Sequence, residues 1–218
     1  MKNKKIRTLT GTAMLTAVGV VLQYIEISIP IMPSFIKLDF SDLPELIGAF
    51  AYGPVAGIII CLLRNLIHMA VSQSLFIGEL SNFILGAIFA GVAGLIYKKH
   101  KSKKTAFIAG TVGALSMAIV SIFSNYFVVY PIYYEAFAPE EIILQAYNTI
   151  LAPTGRQLDN MMQALLVFNV PFTFLKAFAC VLMSLLIYKP LSKILKGSKI
   201  KKPNKVRLIS TIRFSFLS

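Results

Sequence analysis

Residues 43–71, LPELIGAFAYGPVAGIIICLLRNLIHMAV, are the stretch that decides the fold. This apolar run is longer than the roughly 20 residues that one membrane-crossing helix needs. Tyr52-Gly53-Pro54 interrupts it, and there Gly permits a tight turn while Pro removes a backbone donor. The sequence therefore predicts two helices, 43–53 and 54–71, with a chain reversal between them.

Four further apolar stretches flank this run, and each fits one crossing of the hydrocarbon core. They cover residues 8–25, 79–97, 105–130 and 164–188. Together with the two helices of the central run they predict an all-α integral membrane protein with six transmembrane helices. We expect a single membrane domain over residues 1–190 and a basic cytoplasmic tail over 191–218.

The composition excludes several other classes of protein. Of the 218 residues, 56% are hydrophobic and 14% are charged, whereas soluble domains carry about 25% charged residues. Disordered chains need low hydrophobicity. A disulfide-stapled secreted domain does not fit either, because the two cysteines, Cys61 and Cys180, both lie in apolar runs.

The distribution of charge sets the orientation in the membrane. The formal net charge is +13, and most basic residues fall within residues 2–7, 98–104 and 189–213, which contain no acid. Lys/Arg-rich flanks of apolar spans mark the cytoplasmic face. Six crossings put all three clusters and both termini on that face, whereas five would separate them. This pattern favours an integral membrane protein over a nucleic-acid-binding one.

Two segments are predicted to lie on the outer face. Residues 26–42 mix prolines with Ile, Met and Phe, which predicts an irregular, partly buried loop that acts as a lid. A helix over 43–53 reaches only about 16 Å, so either this loop dips into the protein or the helix crosses partially. Residues 131–163 form the second outer segment and are expected to be part helical.

The sequence lacks the motifs of the common catalytic classes. It has no Walker-type phosphate loop and no Gly-x-Ser-x-Gly elbow. His68 and His100 have no third ligand at metal spacing, so neither a metal site nor catalytic residues are predicted. An intramembrane enzyme acting on a lipid is the alternative from another class, but it would need clustered acids, and here they are scattered.

Polar residues inside the apolar spans are the positive functional signal, because each is costly in lipid. Lys176 lies near the middle of the last span. Its amine either reaches an acid on a neighbouring helix or donates to a carbonyl of a ligand. Arg64 and Asn65 are expected to serve structure by pairing with an acid, which the sequence limits to Asp42, Glu45 or Glu79.

Three shorter polar side chains leave similar alternatives open. Asn125 and Asn82 either bond neighbouring helices or bind a ligand, since a buried amide must be satisfied. Thr173 lies three residues before Lys176 on the same helix face, although its hydroxyl can also bond its own backbone.

Five stretches resemble, in order, the riboflavin-specific substrate-binding (S) components of energy-coupling factor (ECF) vitamin transporters, the RibU type. They are Lys37-Leu38-Asp39-Phe40-Ser41-Asp42-Leu43-Pro44, Tyr52-Gly53-Pro54-Val55-Ala56-Gly57, Asn82-Phe83-Ile84-Leu85-Gly86, Asn125-Tyr126 through Pro131, and Pro171-Phe172-Thr173-Phe174-Leu175-Lys176. The first two together are the most specific. The resemblance covers about residues 8–190.

The resemblance implies a six-helix protein that captures riboflavin, or in some members FMN, from outside and has no pump activity alone. It implies that Asn125 and Lys176 hydrogen-bond the polar edge of the isoalloxazine ring. It also implies that Leu38, Asp39 and Phe40 belong to the loop that covers the vitamin. The flavin would be the transported ligand, and no cofactor is expected.

The resemblance also implies partners, namely a transmembrane coupling subunit and two ATP-binding cassette ATPases that supply the energy. Ala13 and Ala17 in the first helix form a small-xxx-small pair, which resembles the family's contact surface for the coupling subunit. Internal helix packing is the alternative role for this pair.

The chain departs from the family's pattern next to the lysine. The family commonly has Asn where this chain has Thr173, and Gly where it has Ala177. Thr173 has a shorter reach and a single donor. FMN would need a cation for its phosphate, and the outer-side candidates are Lys37, Arg64 and Arg156. Riboflavin is therefore favoured over FMN, and another vitamin on the same scaffold is the alternative.

Overall fold

A computed structural model describes residues 2–33, 36–72, 75–136 and 138–196, and this part of the chain is almost entirely helical. The helices are α1 (Lys2–Tyr24), α2 (Asp42–Tyr52), α3 (Pro54–His68), α4 (Ile77–Lys99), α5 (Lys103–Ser124), α6 (Tyr130–Ala136), α7 (Glu140–Leu151), α8 (Met161–Ala164) and α9 (Val170–Lys196). Short 3₁₀ turns, Met69–Val71 and Ala152–Thr154, follow α3 and α7. Of the predicted tail, residues 197–218 lie outside the described residues, and 191–196 continue α9.

Two π-helical turns join consecutive helices. Asn125–Val129 connects α5 to α6, and Leu165–Asn169 connects α8 to α9. Each turn continues the helix without a break, so α5–α6 and α8–α9 form two long rods. Such turns are rare in proteins, but where they occur they are often found at functional sites.

The reversal predicted at Tyr52-Gly53-Pro54 is confirmed. Helix α2 ends at Tyr52, Gly53 adopts φ 105° and ψ 169°, and Pro54 begins α3. This backbone conformation is essentially restricted to glycine. Pro54 costs no hydrogen bond as the first helical residue, because an N–H at that position has no acceptor within the helix.

Five helices in the described part of the chain are long and apolar enough to cross a membrane. They are Lys5–Tyr24, Pro54–Val71, Ile77–Lys99, Lys103–Ala136 and Met161–Ile187. The predicted architecture is therefore confirmed in its coarse form, a mostly helical chain with several helices of membrane-crossing length. Helix α2 has 11 residues, which is about half the length that a crossing needs. A sixth crossing through α2 stays a prediction.

Helix α2 lies at the centre of the bundle. It packs against α1, α3, α4 and α9, and every residue from Asp42 to Phe50 is buried. Its polar side chains therefore meet protein and not lipid, which is the condition under which charges survive at membrane depth.

The two outer segments differ in structure. In the first, β1 (Ile27–Ser28) pairs antiparallel with β2 (Lys37–Leu38), and the Lys37 ammonium pairs with the Glu26 carboxylate. The second contains α6, α7 and α8, which confirms that it is part helical. Buried residues within and directly beside this segment form a small separate core, consisting of Tyr130, Ile143, Tyr147, Leu158, Met161, Ala164 and Leu165.

Helices α3 and α4 approach each other closely at Gly94. A Cβ atom at Gly94 would lie 2.8 Å from the Pro54 Cα and 3.1 Å from the Pro54 N, both of which are backbone atoms. At Gly91, one turn earlier on the same helix, a Cβ would meet only the Ile58 Cδ1 at 3.5 Å, which is an ordinary contact. The two glycines therefore allow a matched test of this packing.

We expect Gly94→Ala to lower the free energy of unfolding by about 1–3 kcal/mol, because the new methyl group forces backbone apart. Gly91→Ala should leave it unchanged or slightly raised. Thermal unfolding in detergent can be followed with a thiol-reactive fluorogenic dye, since Cys61 and Cys180 are both buried. Equal unfolding temperatures for the two variants would contradict this packing of α3 on α4.

Candidate ligand-binding cavity

A cavity of about 780 Å³ lies between the hairpin, α7 and the long helices. Five of the site residues predicted from the sequence line it, namely Asp39, Asn82, Asn125, Thr173 and Lys176. These residues come from segments far apart in sequence, so the fold brings together a set that the sequence could only nominate one by one.

Two predicted site residues are not among those that line the cavity. Leu38 pairs with Ile27 in the hairpin, and Phe40 packs against the main core of the bundle. Both flank Asp39, so they belong to the same loop without facing the cavity. In this structure their part is to hold the loop in place.

The cavity has a floor and a mouth. Leu85, Met117 and Lys176 form the floor, and the first two also belong to the main core. Glu79 lies on α4 six residues before Leu85, which corresponds to about 9 Å along the helix axis. It marks the mouth, where Tyr24 is also exposed.

Lys176 pairs with acids at the floor of the cavity. This agrees with the first of its two predicted roles, in which its amine reaches an acid of a neighbouring segment. Its Nζ atom donates to the Asp39 Oδ2 at 2.9 Å and lies 3.5 Å from the Asp42 Oδ2. Asp39 belongs to the loop before α2, so the outer loop reaches down to α9. An ammonium has three donors, and the two acids therefore do not preclude a further bond to a ligand.

The Asp39 carboxylate stays ionised at any physiological pH. Burial alone raises the pKa of the Asp39 carboxyl, but the nearby Lys176 charge and the hydrogen bond from Ser41 outweigh burial and lower the pKa to about 2. A carboxyl with a lowered pKa stabilises the fold above its unfolded value of about 3.9, and that contribution is lost as pH falls toward 2. At neutral pH the pair with Lys176 is fully formed.

Arg64 forms a second, adjoining set of ion pairs. It is 0% exposed, and its Nη2 lies 3.2 Å from both the Asp42 Oδ1 and the Glu45 Oε2. The predicted pairing of Arg64 with an acid is confirmed for Asp42 and Glu45, both on the preceding helix α2. The expectation that Asn65 pairs with an acid is wrong, because its amide donates to the Cys61 carbonyl of its own helix at 2.9 Å and accepts from Gln23, so its role is structural without an acid.

Each π-helical turn contributes one asparagine to the cavity wall. Asn125 opens the first turn, and Asn169 closes the second. Asn169 forms a closed ring of hydrogen bonds, in which its Oδ1 accepts from Tyr147 at 2.7 Å and its Nδ2 donates to Tyr130 at 3.2 Å. The two tyrosine hydroxyls are 2.6 Å apart. This ring ties α7 to the two rods beside the cavity.

The mouth carries a histidine–glutamate pair. His68 Nδ1 lies 2.8 Å from the Glu79 Oε1, and Ser72 donates to the Glu79 Oε2 at 2.8 Å. The Tyr24 ring packs on the His68 ring with centroids 5.3 Å apart. Glu79 was one of the acids proposed for Arg64, and the structure pairs it with His68 and Ser72 instead.

Sequence reasoning missed several lining residues. Asn169 carried a usable signal, because it is an amide within an apolar run, seven residues before Lys176 and thus on the same helix face. Gln23 and the His68–Glu79 pair gave no such signal, since they lie at helix ends where polar residues are ordinary.

The small pair of α1 faces away from the bundle. Ala13 and Ala17 are both exposed, while Leu15 and Thr16 on the opposite side are buried. The alternative role for Ala13 and Ala17, close packing against another helix of the same chain, is therefore not observed among the described residues.

Residues 7–196 match the family model described as "ECF transporter, substrate-specific component". The chain is 33% identical to "Riboflavin transporter RibU" of Staphylococcus aureus (strain TCH60) over 195 residues, which is 89% of this chain and 94% of that protein. It is 30% identical to "Riboflavin transporter FmnP" of Bacillus subtilis (strain 168) over 132 residues, which is 59% of this chain and 70% of that protein. A solved structure described as "Structure and mechanism of the S component of a bacterial ECF transporter" is similar with a TM-score of 0.66 and 31% identity, covering 90% of this chain and 99% of that one.

We expect Arg64→Met to lower the free energy of unfolding by about 3–5 kcal/mol, because it leaves the buried Glu45 carboxylate without its cation and Asp42 with Lys176 alone. Lys37→Met removes an exposed pair and should cost about 0–1 kcal/mol. The measurement is thermal unfolding in detergent.

A triple variant, Arg64→Met with Asp42→Asn and Glu45→Gln, separates charge from packing. It should regain part of the lost stability, since no unpaired charge remains. If the triple variant is no more stable than Arg64→Met alone, the ion pairs are not what stabilises this region.

Proposed function

The chain belongs to the family of ECF transporter substrate-specific components, and from this premise we propose that it is the riboflavin-binding S subunit of a bacterial ECF importer. The observation that carries the proposal is the cavity in which Asn125, Thr173 and Lys176 converge. The relatives from Staphylococcus aureus and Bacillus subtilis are both named riboflavin transporters. The chain is thus a bacterial membrane transport protein and not an enzyme.

The chemistry of the cavity suits a flat heterocycle. Leu85, Met117 and Phe172 supply apolar wall, and a few polar groups converge between them. Sites for neutral cofactors are built in this way, with polar groups fixing orientation inside an apolar cleft. Asn125 can both donate and accept, which matches the alternating carbonyl and N–H groups on the polar edge of isoalloxazine.

Lys176 is proposed to donate to a ring carbonyl while Asp39 and Asp42 balance its charge. Thr173 lies one turn away and can donate or accept through its hydroxyl. Asn82 offers a further amide from α4. Since Asp39 is bonded to Lys176 at 2.9 Å, the loop that carries it is held over the floor of the cavity, as a cover requires.

We propose that the protein crosses the cell membrane six times with both ends in the cytoplasm, and that residues 1–190 form the membrane domain with a basic tail over 191–218. The support is the charge pattern, because three acid-free basic clusters meet on one face only with an even number of crossings. In this arrangement α2 is a short crossing enclosed by other helices, and the cavity mouth faces outward.

The proposed partners are a transmembrane coupling subunit and two ATP-binding cassette ATPases. The chain has no phosphate-binding motif of its own, so energy for uptake must come from other subunits. Ala13 and Ala17 are the proposed contact surface for the coupling subunit. Their support is exposure combined with small size, which lets another helix approach closely.

Asn125→Ala and Lys176→Ala should each weaken riboflavin binding about tenfold or more, because each removes a hydrogen bond in a buried site. The purified subunit is titrated with riboflavin, and the quenching of flavin fluorescence gives the Kd. Ser116→Ala is the control, since its hydroxyl is on α5 but bonds only the Val112 carbonyl of its own helix. Unchanged Kd values in both site variants would refute the site assignment.

FMN should bind at least tenfold more weakly than riboflavin. Of the cations proposed for a phosphate, Arg64 is fully buried against two acids and Lys37 is paired with Glu26. Arg156 is exposed and is not a lining residue. Competition of FMN against bound riboflavin measures the ratio, and equal affinities would require a phosphate-binding cation other than these three.

A further inference from the structure

Gln23, in the last turn of α1, forms part of the cavity wall and is only 2% exposed. The sequence assigns it no role, because a glutamine near the outer end of a membrane helix is ordinary. Its surroundings in the structure give it one.

The orientation of the Gln23 amide is fixed by a chain of two hydrogen bonds. The Asn65 Nδ2 donates to the Cys61 carbonyl at 2.9 Å, which leaves the Asn65 Oδ1 as an acceptor. The Gln23 Nε2 donates to this Oδ1 at 3.3 Å. The Nε2 atom carries two hydrogens and uses one of them here, so the Gln23 amide still has its oxygen and one N–H to offer.

The Gln23 Oε1 has no hydrogen-bond partner among the described residues, although it is buried. A buried acceptor without a donor is destabilising, and native structures rarely tolerate one without a reason. A donor supplied by a ligand in the cavity would satisfy this oxygen, whereas a ligand acceptor would not.

Gln23 lies toward the mouth of the cavity and not at its floor. Its neighbour Tyr24 packs on His68, and His68 contacts Glu79 at the mouth. On α4, Glu79 at the mouth lies about 9 Å along the helix axis from Leu85 at the floor. A ligand whose ring lies on the floor would therefore extend its side chain toward Gln23.

We propose that Gln23 is a specificity-determining residue that accepts a hydrogen bond from a hydroxyl group on the ligand's sugar-alcohol chain. This inference rests on the proposed function, because the ring of the flavin must lie at the floor for the chain to reach the mouth. The ligand chemistry it selects is an uncharged, hydroxyl-rich chain, since an ionised phosphate would offer only acceptors to the Gln23 oxygen.

The test compares riboflavin with lumiflavin, which has the same ring and a methyl group in place of the sugar-alcohol chain. Gln23→Met keeps the length of the side chain and removes its acceptor. It should weaken riboflavin binding about threefold to tenfold and change lumiflavin binding less than twofold. Fluorescence titration of the purified full chain gives both Kd values.

Gln163→Met is the matched control. Both atoms of the Gln163 amide bond Asp159, and this residue lies outside the cavity lining. It should leave both Kd values unchanged. If Gln23→Met does not yield folded protein, Gln23→Ala is measured in the same way and the same selective loss is expected.

A loss that is equal for riboflavin and lumiflavin would overturn the inference, because Gln23 would then shape the cavity without contacting the chain. No loss for either ligand would overturn it as well. In both cases the proposed function would stand, since the wild-type subunit would still bind riboflavin. A wild-type subunit that binds neither flavin would overturn the proposed function and this inference with it.

Discussion

The Arg64 guanidinium, buried between Asp42 and Glu45, is the interaction on which the rest of the structure depends. Helix α2 has too few residues to be held by lipid on both faces of a bilayer, so protein contacts must fix it. A buried arginine keeps its charge only if carboxylates meet it. The pairs therefore fix α2 against α3. They also position α1, because a Cβ at Gly19 would lie only 3.2 Å from the Arg64 Cδ.

The same set of charges reaches the cavity through Lys176. Its ammonium lies between Asp39, from the outer loop, and Asp42, from α2. The cover of the cavity, its floor and the centre of the bundle thus share one network of buried charges. Removing Arg64 would leave Glu45 without its ion-pair partner, and removing Lys176 would do the same to Asp39, in a medium of low dielectric where that is most costly. This explains why a loop with only two residues in each strand has a defined position.

The sequence was sufficient where a residue type forces one outcome. Gly53 and Pro54 dictate a break, and the charge of Arg64 in an apolar run dictates a nearby acid. It was insufficient where several partners were chemically equivalent: Lys176 could not be matched to Asp39 before the loop was known to descend. Neutral amides such as Gln23 escaped notice, because they cost little at a helix end and gain meaning only from what surrounds them. The π-helical turns have no recognised sequence signature, so the sequence could nominate Asn169 by its place in an apolar run but could not predict its hydrogen bonds to Tyr130 and Tyr147.

The charge network also decides what kind of ligand the cavity suits. The Lys176 charge is already balanced by two carboxylates, so it acts toward a ligand as an N–H donor and not as a free cation. At the mouth, the Glu79 carboxylate and the Gln23 oxygen add acceptors. A neutral ring with hydroxyl groups satisfies both ends by hydrogen bonds alone. Such bonds exchange readily for bonds to water, and a protein that must release its ligand on the other side of a membrane benefits from holding it without an ion pair.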